Sequence, residues 1–197
     1  MARIGFKKAK YNLIDSETMK YKAVTGGVPM FEKVVDEKFS PEYNSAELYA
    51  NDSLCESDYT FKKGSLSITV ADDEDSFCAT ILGNNISTEE TYKGEVTCNI
   101  DDNPPECCYG HIIPKIVGGK RKYKVEFFPR VKFKSVTSEA KTKGDSAEFT
   151  TASIEGTVFP LEENLGKCST GDWEKHKTFD TLALAETYLD GLMTPEA

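Results

Sequence analysis

The densest grouping of reactive side chains in this chain is Cys107-Cys108-Tyr109-Gly110-His111. Thiolate and imidazole are the ligands of structural zinc, but such sites use a C-x-x-C or H-x₃-H pair with a second half elsewhere. Adjacent cysteines in a strand point to opposite faces and do not share one ion easily. His176 is the only other histidine, so a Cys–His nucleophile pair would have to form between it and Cys107 or Cys108 across the fold. The acids Asp72, Asp73, Glu74 and Asp75 invite a calcium reading. They lack the glycine turn and distal glutamate of an EF-hand loop, and they suit a helix N-terminus, where the dipole favours negative charge. The bland reading of the cysteine pair is two small strand residues. No constellation converges on catalysis, so no catalytic, cofactor-binding or metal-ligating residue is assigned and no enzyme is expected.

Charge is the second chemical signal. The 197 residues carry a net charge of −9. Residues 115–134 nevertheless hold eight basic side chains against the single acid Glu126, a local +7 that leaves −16 on the remainder. An acidic protein is poorly built to grip nucleic acid, and only Phe128 interleaves with the basic positions, which gives base stacking little support. The better reading is self-complementarity, a basic strand face on one copy meeting an acidic surface on another.

The elements that position these groups are mostly strands. Ser65–Val70 alternates, with Leu66, Ile68 and Val70 on one face. From Tyr123 to Phe133 the odd positions are apolar and the even ones mostly charged, which predicts a long antiparallel strand with one wet face. Pro129 marks a bend or an edge within it. Lys143–Thr157 reads as a turn followed by an edge-forming β segment, continuing to Phe159. Tyr11–Ile14 and Phe31–Phe39 are further strand candidates around the Gly26-Gly27-Val28-Pro29 loop. Residues 72–82 predict a short helix capped by Asp72 or Asp73 and stopped by Gly83. Thr178–Leu189 predicts a C-terminal helix capped by Thr178 or Asp180, packed on its own sheet.

These readings describe residues 1–197 as a single mainly β domain with a short central helix and a C-terminal helix of about 178–190. An extended region and loop occupy about 15–50. No apolar run approaches the roughly 18 residues that span a bilayer, and the N-terminus lacks the apolar core of a signal peptide. Assembly in the cytoplasm is therefore expected, with the six cysteines reduced and mostly packed.

Four segments, in order, carry a resemblance. They are Ile4-Gly5-Phe6-Lys7-Lys8-Ala9-Lys10-Tyr11, then Ser45-Ala46-Glu47-Leu48-Tyr49-Ala50-Asn51-Asp52, then Asp101-Asp102-Asn103-Pro104-Pro105 running into Tyr109-Gly110. The last spans Tyr123-Lys124-Val125, Lys143-Gly144-Asp145 and Phe149-Thr150 to Gly156-Thr157. Together they resemble the major tail protein, or tail tube protein, of long-tailed non-contractile phages and prophages. Cys107-Cys108 and Asn51 depart from the pattern.

The resemblance implies two packed antiparallel sheets, a sandwich or barrel-like fold with a short flanking helix. It implies a virion protein whose hexameric rings stack into the hollow tail tube, assembled in the bacterial host, with DNA passing through the lumen unbound at ejection. The partners it implies are further copies of the chain, a tape measure protein, tail-tip or distal tail proteins and a tail terminator. Six copies multiply the net charge of −9 sixfold, which suits a conduit for DNA. The basic face of residues 122–134 is accordingly expected to stay out of the lumen. Candidate inter-subunit residues are Tyr49, Asp52, Lys124, Arg130, Lys132, Lys143, Gly144 and Asp145, with residues 15–50 and the loop around Asp145 making ring-to-ring contacts. The competing readings are the inner tube of a contractile tail or injection machine, and a monomeric β-sandwich binding or decoration module.

Overall fold

The computed structural model describes residues 2–3, 5–31, 33–50, 53–138 and 150–195. The elements run β1 (Ala2–Arg3), β2 (Lys7–Asp15), β3 (Lys20–Tyr21), β4 (Met30–Phe31), β5 (Val34–Ala50), β6 (Ser53–Val70) and α1 (Asp75–Leu82). They continue with β7 (Asn85–Ile86), β8 (Val96–Thr97), β9 (Glu106–Val117), β10 (Lys120–Ser138), β11 (Ala152–Val158), β12 (Lys175–Phe179) and α2 (Leu182–Met193). The fold is mainly β, with antiparallel sheets and two helices. One large sheet has the order β3-β2-β9-β10-β11-β6-β5, with β1 on β9, β4 on β2 and β12 on β10. A small second sheet pairs β7 with β8.

The hinge of this architecture is a bulge in β10. Pairing with β9 slips between Phe128 and Val131. Before the slip, Tyr123–Phe127 pair with β12 on the other side; after it, Val131–Ser138 pair with β11. An extra residue in one strand bends it and moves the following side chains to the opposite face. Val125 and Phe127 therefore join one core cluster, with Cys108, Ile112, Leu165, Ala185 and Leu189. Phe128, Val131 and Phe133 join the other, with Tyr109, Phe31, Leu66, Ile68 and Ile154. The expected single apolar face of residues 123–133 is corrected in this way. Its odd positions feed two cores, and the expected wet face is covered where Glu126 and Phe128 lie buried. Pro129 sits at the bend, as its ring requires, but β10 is a central strand and not an edge.

Two further expectations are corrected. β11 lies between β10 and β6, so the 152–158 segment is interior. Its glycine admits this: a Cβ at Gly156 would stand 2.8 Å from the Phe133 ring. Residues 175–179 form strand β12, and α2 starts later than expected, at Leu182, with Thr181 as its cap accepting from the Leu184 N–H. Backbone pairing with β10 outweighs the helical spacing of Phe179.

α2 packs on its own sheet as expected, burying Ala185, Leu189, Leu192 and Met193 at i, i+4, i+7 and i+8. Gly110 of β9 makes room for it, since a Cβ there would lie 2.6 Å from Leu189 Cδ1. α1 ends at Gly83 in the left-handed conformation, as expected, but begins at Asp75 with Glu74 as its cap residue. The 34–50 part of the expected N-terminal loop is one continuous strand.

Candidate assembly surface

β5 and β6 pair from Val34–Val70 to Ala50–Ser53, which makes them the longest hairpin partners in the chain. Their inner halves join the core through Leu66, Ile68 and Val70. Their outer halves do not. Residues 41–48 and 55–60 are exposed, including the large side chains Tyr43, Leu48 and Tyr59. Ten residues of extended chain reach about 33 Å, so the outer halves form an arm projecting from the body. Register shifts at Glu42/Tyr43 and Leu48/Tyr49 add twist to it. β5 also ends the sheet order, which leaves its outer edge without a strand partner among the described residues.

The base of the arm is fixed in two ways. The first is aromatic. Phe39, across from Leu66, lays its ring over Gly64, where a Cβ would be 2.3 Å away. Trp173 stacks on Phe61 at 4.1 Å and on Phe39 at 5.8 Å, while Phe39 also meets Phe128 at 4.7 Å. The second is a buried charge cluster. His111 of β9 places Nδ1 3.0 Å from Glu37 of β5 and Nε2 3.3 Å from Glu126 of β10. The Nδ1 contact is close enough for an ion pair but off-line for a hydrogen bond. The Tyr109 hydroxyl donates to Glu37 at 2.7 Å, Lys124 donates to Glu126, and Phe6 stacks on the imidazole. Burial opposes ionisation of Glu126, but hydrogen bonds from His111 and Lys124 prevail and hold its carboxyl down to about 2. Burial, then the Glu37 carboxylate, push the Tyr109 hydroxyl well up.

These contacts also tie β5 to the first half of β10. Glu37 lies at the level of Glu126, and Phe39 at the level of Phe128. Trp173 precedes β12, whose Lys175 pairs with Phe127, and it meets Phe61, whose partner is Tyr43. Through the intervening strands Val34 is level with Ser138 of β10 and Pro41 with Val131, so β5 runs antiparallel to the second half of β10.

A cleft of about 630 Å³ opens beside the charge cluster, lined in part by Phe6, Glu37, His111, Glu126, Glu174 and His176. Its described lining includes no serine, threonine or cysteine nucleophile. Among the described residues no group of three or more His, Cys, Asp or Glu is placed to hold a metal ion. Cys107 and Cys108 face opposite cores, as their adjacency predicts, and burial pushes both thiols up. His176 is exposed and lies beside Glu174. Cys168 is also buried, whereas Cys55 and Cys98 are exposed.

The candidate interface residues divide. Tyr49 is on the arm, its backbone opposite Leu54. Asp52, Lys143, Gly144 and Asp145 lie outside the described residues. Lys124 is engaged with Glu126. Arg130 makes a two-pronged contact to Glu106, each at 2.8 Å, and reaches Glu162 at 2.6 Å. Lys132 donates to Asn103. These three cations are thus occupied within their own chain. Sequence reasoning missed the clamp formed by Trp173 and the Glu37–His111–Glu126 cluster. The clamp joins residues more than 100 positions apart, and the cluster joins Glu37 to the His111–Glu126 hairpin pair more than 70 positions away, so no local pattern announces either. No described helix is long and apolar enough to cross a membrane.

No protein-family model matches this chain, and no curated protein is significantly similar to it.

Proposed function

We propose that this chain is a structural subunit of a tube, its copies closing into rings that stack. The observation that carries this reading is the β5–β6 arm, exposed on both strands yet pinned at its base by Trp173 and the buried charge cluster. A lone protein gains nothing from holding such a ribbon out in water, and an unpaired edge is a hazard until a neighbour covers it. A head-to-tail interface that closes makes a ring, and repetition along an axis makes a filament.

The resemblance to tail tube proteins of non-contractile phages supports six copies per ring and a lumen for DNA, with tape measure, tail-tip and terminator proteins as partners in the virion tail. The net charge of −9 per copy supports a wall that DNA does not adhere to. Electron microscopy of the purified chain across concentration tests the reading. Rings or hollow tubes of uniform width are the expected result, with or without added tail-tip complex. A species that stays monomeric in both conditions sinks it and leaves a binding or decoration module. Recruitment of a sheath protein onto the tubes would reassign them to a contractile system.

A further inference from the structure

We propose that the acidic end of the arm of one copy seats on the basic β9–β10 turn of the next, joining copies head to tail along the tube. This rests on the assembly reading above and adds the partner surface that the arm engages.

The charges are matched. Residues 42–61 contain five acids (Glu42, Glu47, Asp52, Glu56 and Asp58) and no Lys or Arg. Residues 115–124 contain five bases (Lys115, Lys120, Arg121, Lys122 and Lys124) and no Asp or Glu. Both segments are presented to solvent: Glu47, Glu56 and Asp58 are exposed on the arm, and Gly118 to Arg121 are exposed on the turn. Lys115 and Arg121 have no carboxylate partner among the described residues. Lys122 is paired only with Asp180, itself 78% exposed, a pairing that a neighbour can replace at little cost.

The acidic arm and the basic turn are different patches of the same chain, so a contact between them in two copies is heterologous, and such a contact propagates. Apolar side chains are at hand on both sides, Leu48 and Tyr59 on the arm and Ile116 beside the turn, each more than 40% exposed. Opposed potentials then fix orientation while these side chains supply burial. The turn's cations do not suit a nucleic-acid site as well, because no base-stacking platform accompanies them except Tyr123, which packs against the α2 core.

Two full-length variants test this. One carries K120E, R121E and K122E and so has an acidic turn; the other carries E47K, E56K and D58K and so has a basic arm. Each alone should assemble at least about tenfold less readily than the wild type by sedimentation, because each sets like charges in contact. An equimolar mixture should recover assembly, since each arm then meets a turn of opposite sign. Carbodiimide treatment of mixed ¹⁵N-labelled and unlabelled wild type should give hybrid cross-links from Glu47, Glu56 or Asp58 to Lys115, Lys120 or Lys122, lost at high salt. Unchanged thermal unfolding of both variants excludes misfolding as the cause. Tubes that form equally well from either variant, or that yield no arm–turn cross-links, overturn this inference and leave the tube reading standing. Loss of duplex DNA binding by the turn variant, with assembly unchanged, would overturn it in favour of a nucleic-acid surface. A wild type that never assembles fails the tube reading itself.

Discussion

The β9–β10 hairpin and the β5–β6 hairpin are built from similar lengths of chain to opposite ends. Cys107 to Pro114 of β9 are buried at every position, because β10 and β2 flank the strand while α2 and the inner core cover its two faces. Residues 41–48 of β5 are exposed at every position. The first hairpin is stabilised by burial, worth roughly 1.5–3 kcal/mol per large side chain. The outer half of the second relies on cross-strand pairs, which contribute roughly 0.2–1 kcal/mol each. A hairpin that does not stabilise its own fold is free to be shaped by a neighbour's surface, whereas one buried on both faces is not. The tube proposal therefore rests on the arm, and the β9–β10 body carries the larger share of burial.

Substitutions should separate the two regions sharply, and the largest effect is expected in the body. His111→Ala leaves Glu37 and Glu126 facing each other without their bridge. Breaking a buried charge cluster in this way should cost about 3–5 kcal/mol in urea unfolding. Leu189→Ala should follow, at about 2–4 kcal/mol, by opening a cavity beneath α2. A cost under 1 kcal/mol in both would erase the distinction between the regions.

Acid should expose the same cluster. The Glu126 carboxyl is held at about 2 in the fold against an ordinary 4.5. Its stabilising contribution is therefore complete above about pH 4.5 and is lost as pH falls toward 2. The difference corresponds to about 3 kcal/mol. Glu126→Gln should flatten that part of the stability–pH curve, and an unchanged slope would assign acid sensitivity to other groups.

Trp173→Ala works at the boundary. Stability should fall by about 1–2 kcal/mol, while amide exchange of residues 42–61 accelerates and assembly weakens. Smallest for stability are Leu48→Ser and Tyr59→Ser on the arm, within about 0.5 kcal/mol of wild type. If these leave assembly intact as well, the arm is not the contact surface.

Much of this was legible from local pattern. The 65–70 strand, the Gly83 stop and the opposed cysteines all follow from side-chain period and turn chemistry. The division of residues 123–133 between two cores was not. Alternation marks which residues are apolar, but a bulge at Pro129 changes the side on which later ones emerge, and the bulge exists only in register with β9. The arm was not legible, since its residues 34–50 read as part of an extended region and loop. Its polar stretch lacks a core-facing pattern, in keeping with the exposure of residues 41–48 and 55–60.

What the sequence by itself determined is the set of elements and the signs of charge: strands from period-two runs, helices from caps and spacing, an acidic stretch at 42–61 and a basic one at 115–124. These are local properties, set by backbone sterics and by side-chain chemistry within a few residues. The tertiary structure decided which face each strand presents and that β5 and β6 outrun the core. Those outcomes depend on Glu37, His111, Glu126, Phe61 and Trp173 meeting across the fold, and contacts between residues so distant in the chain are selected by packing, not by local preference.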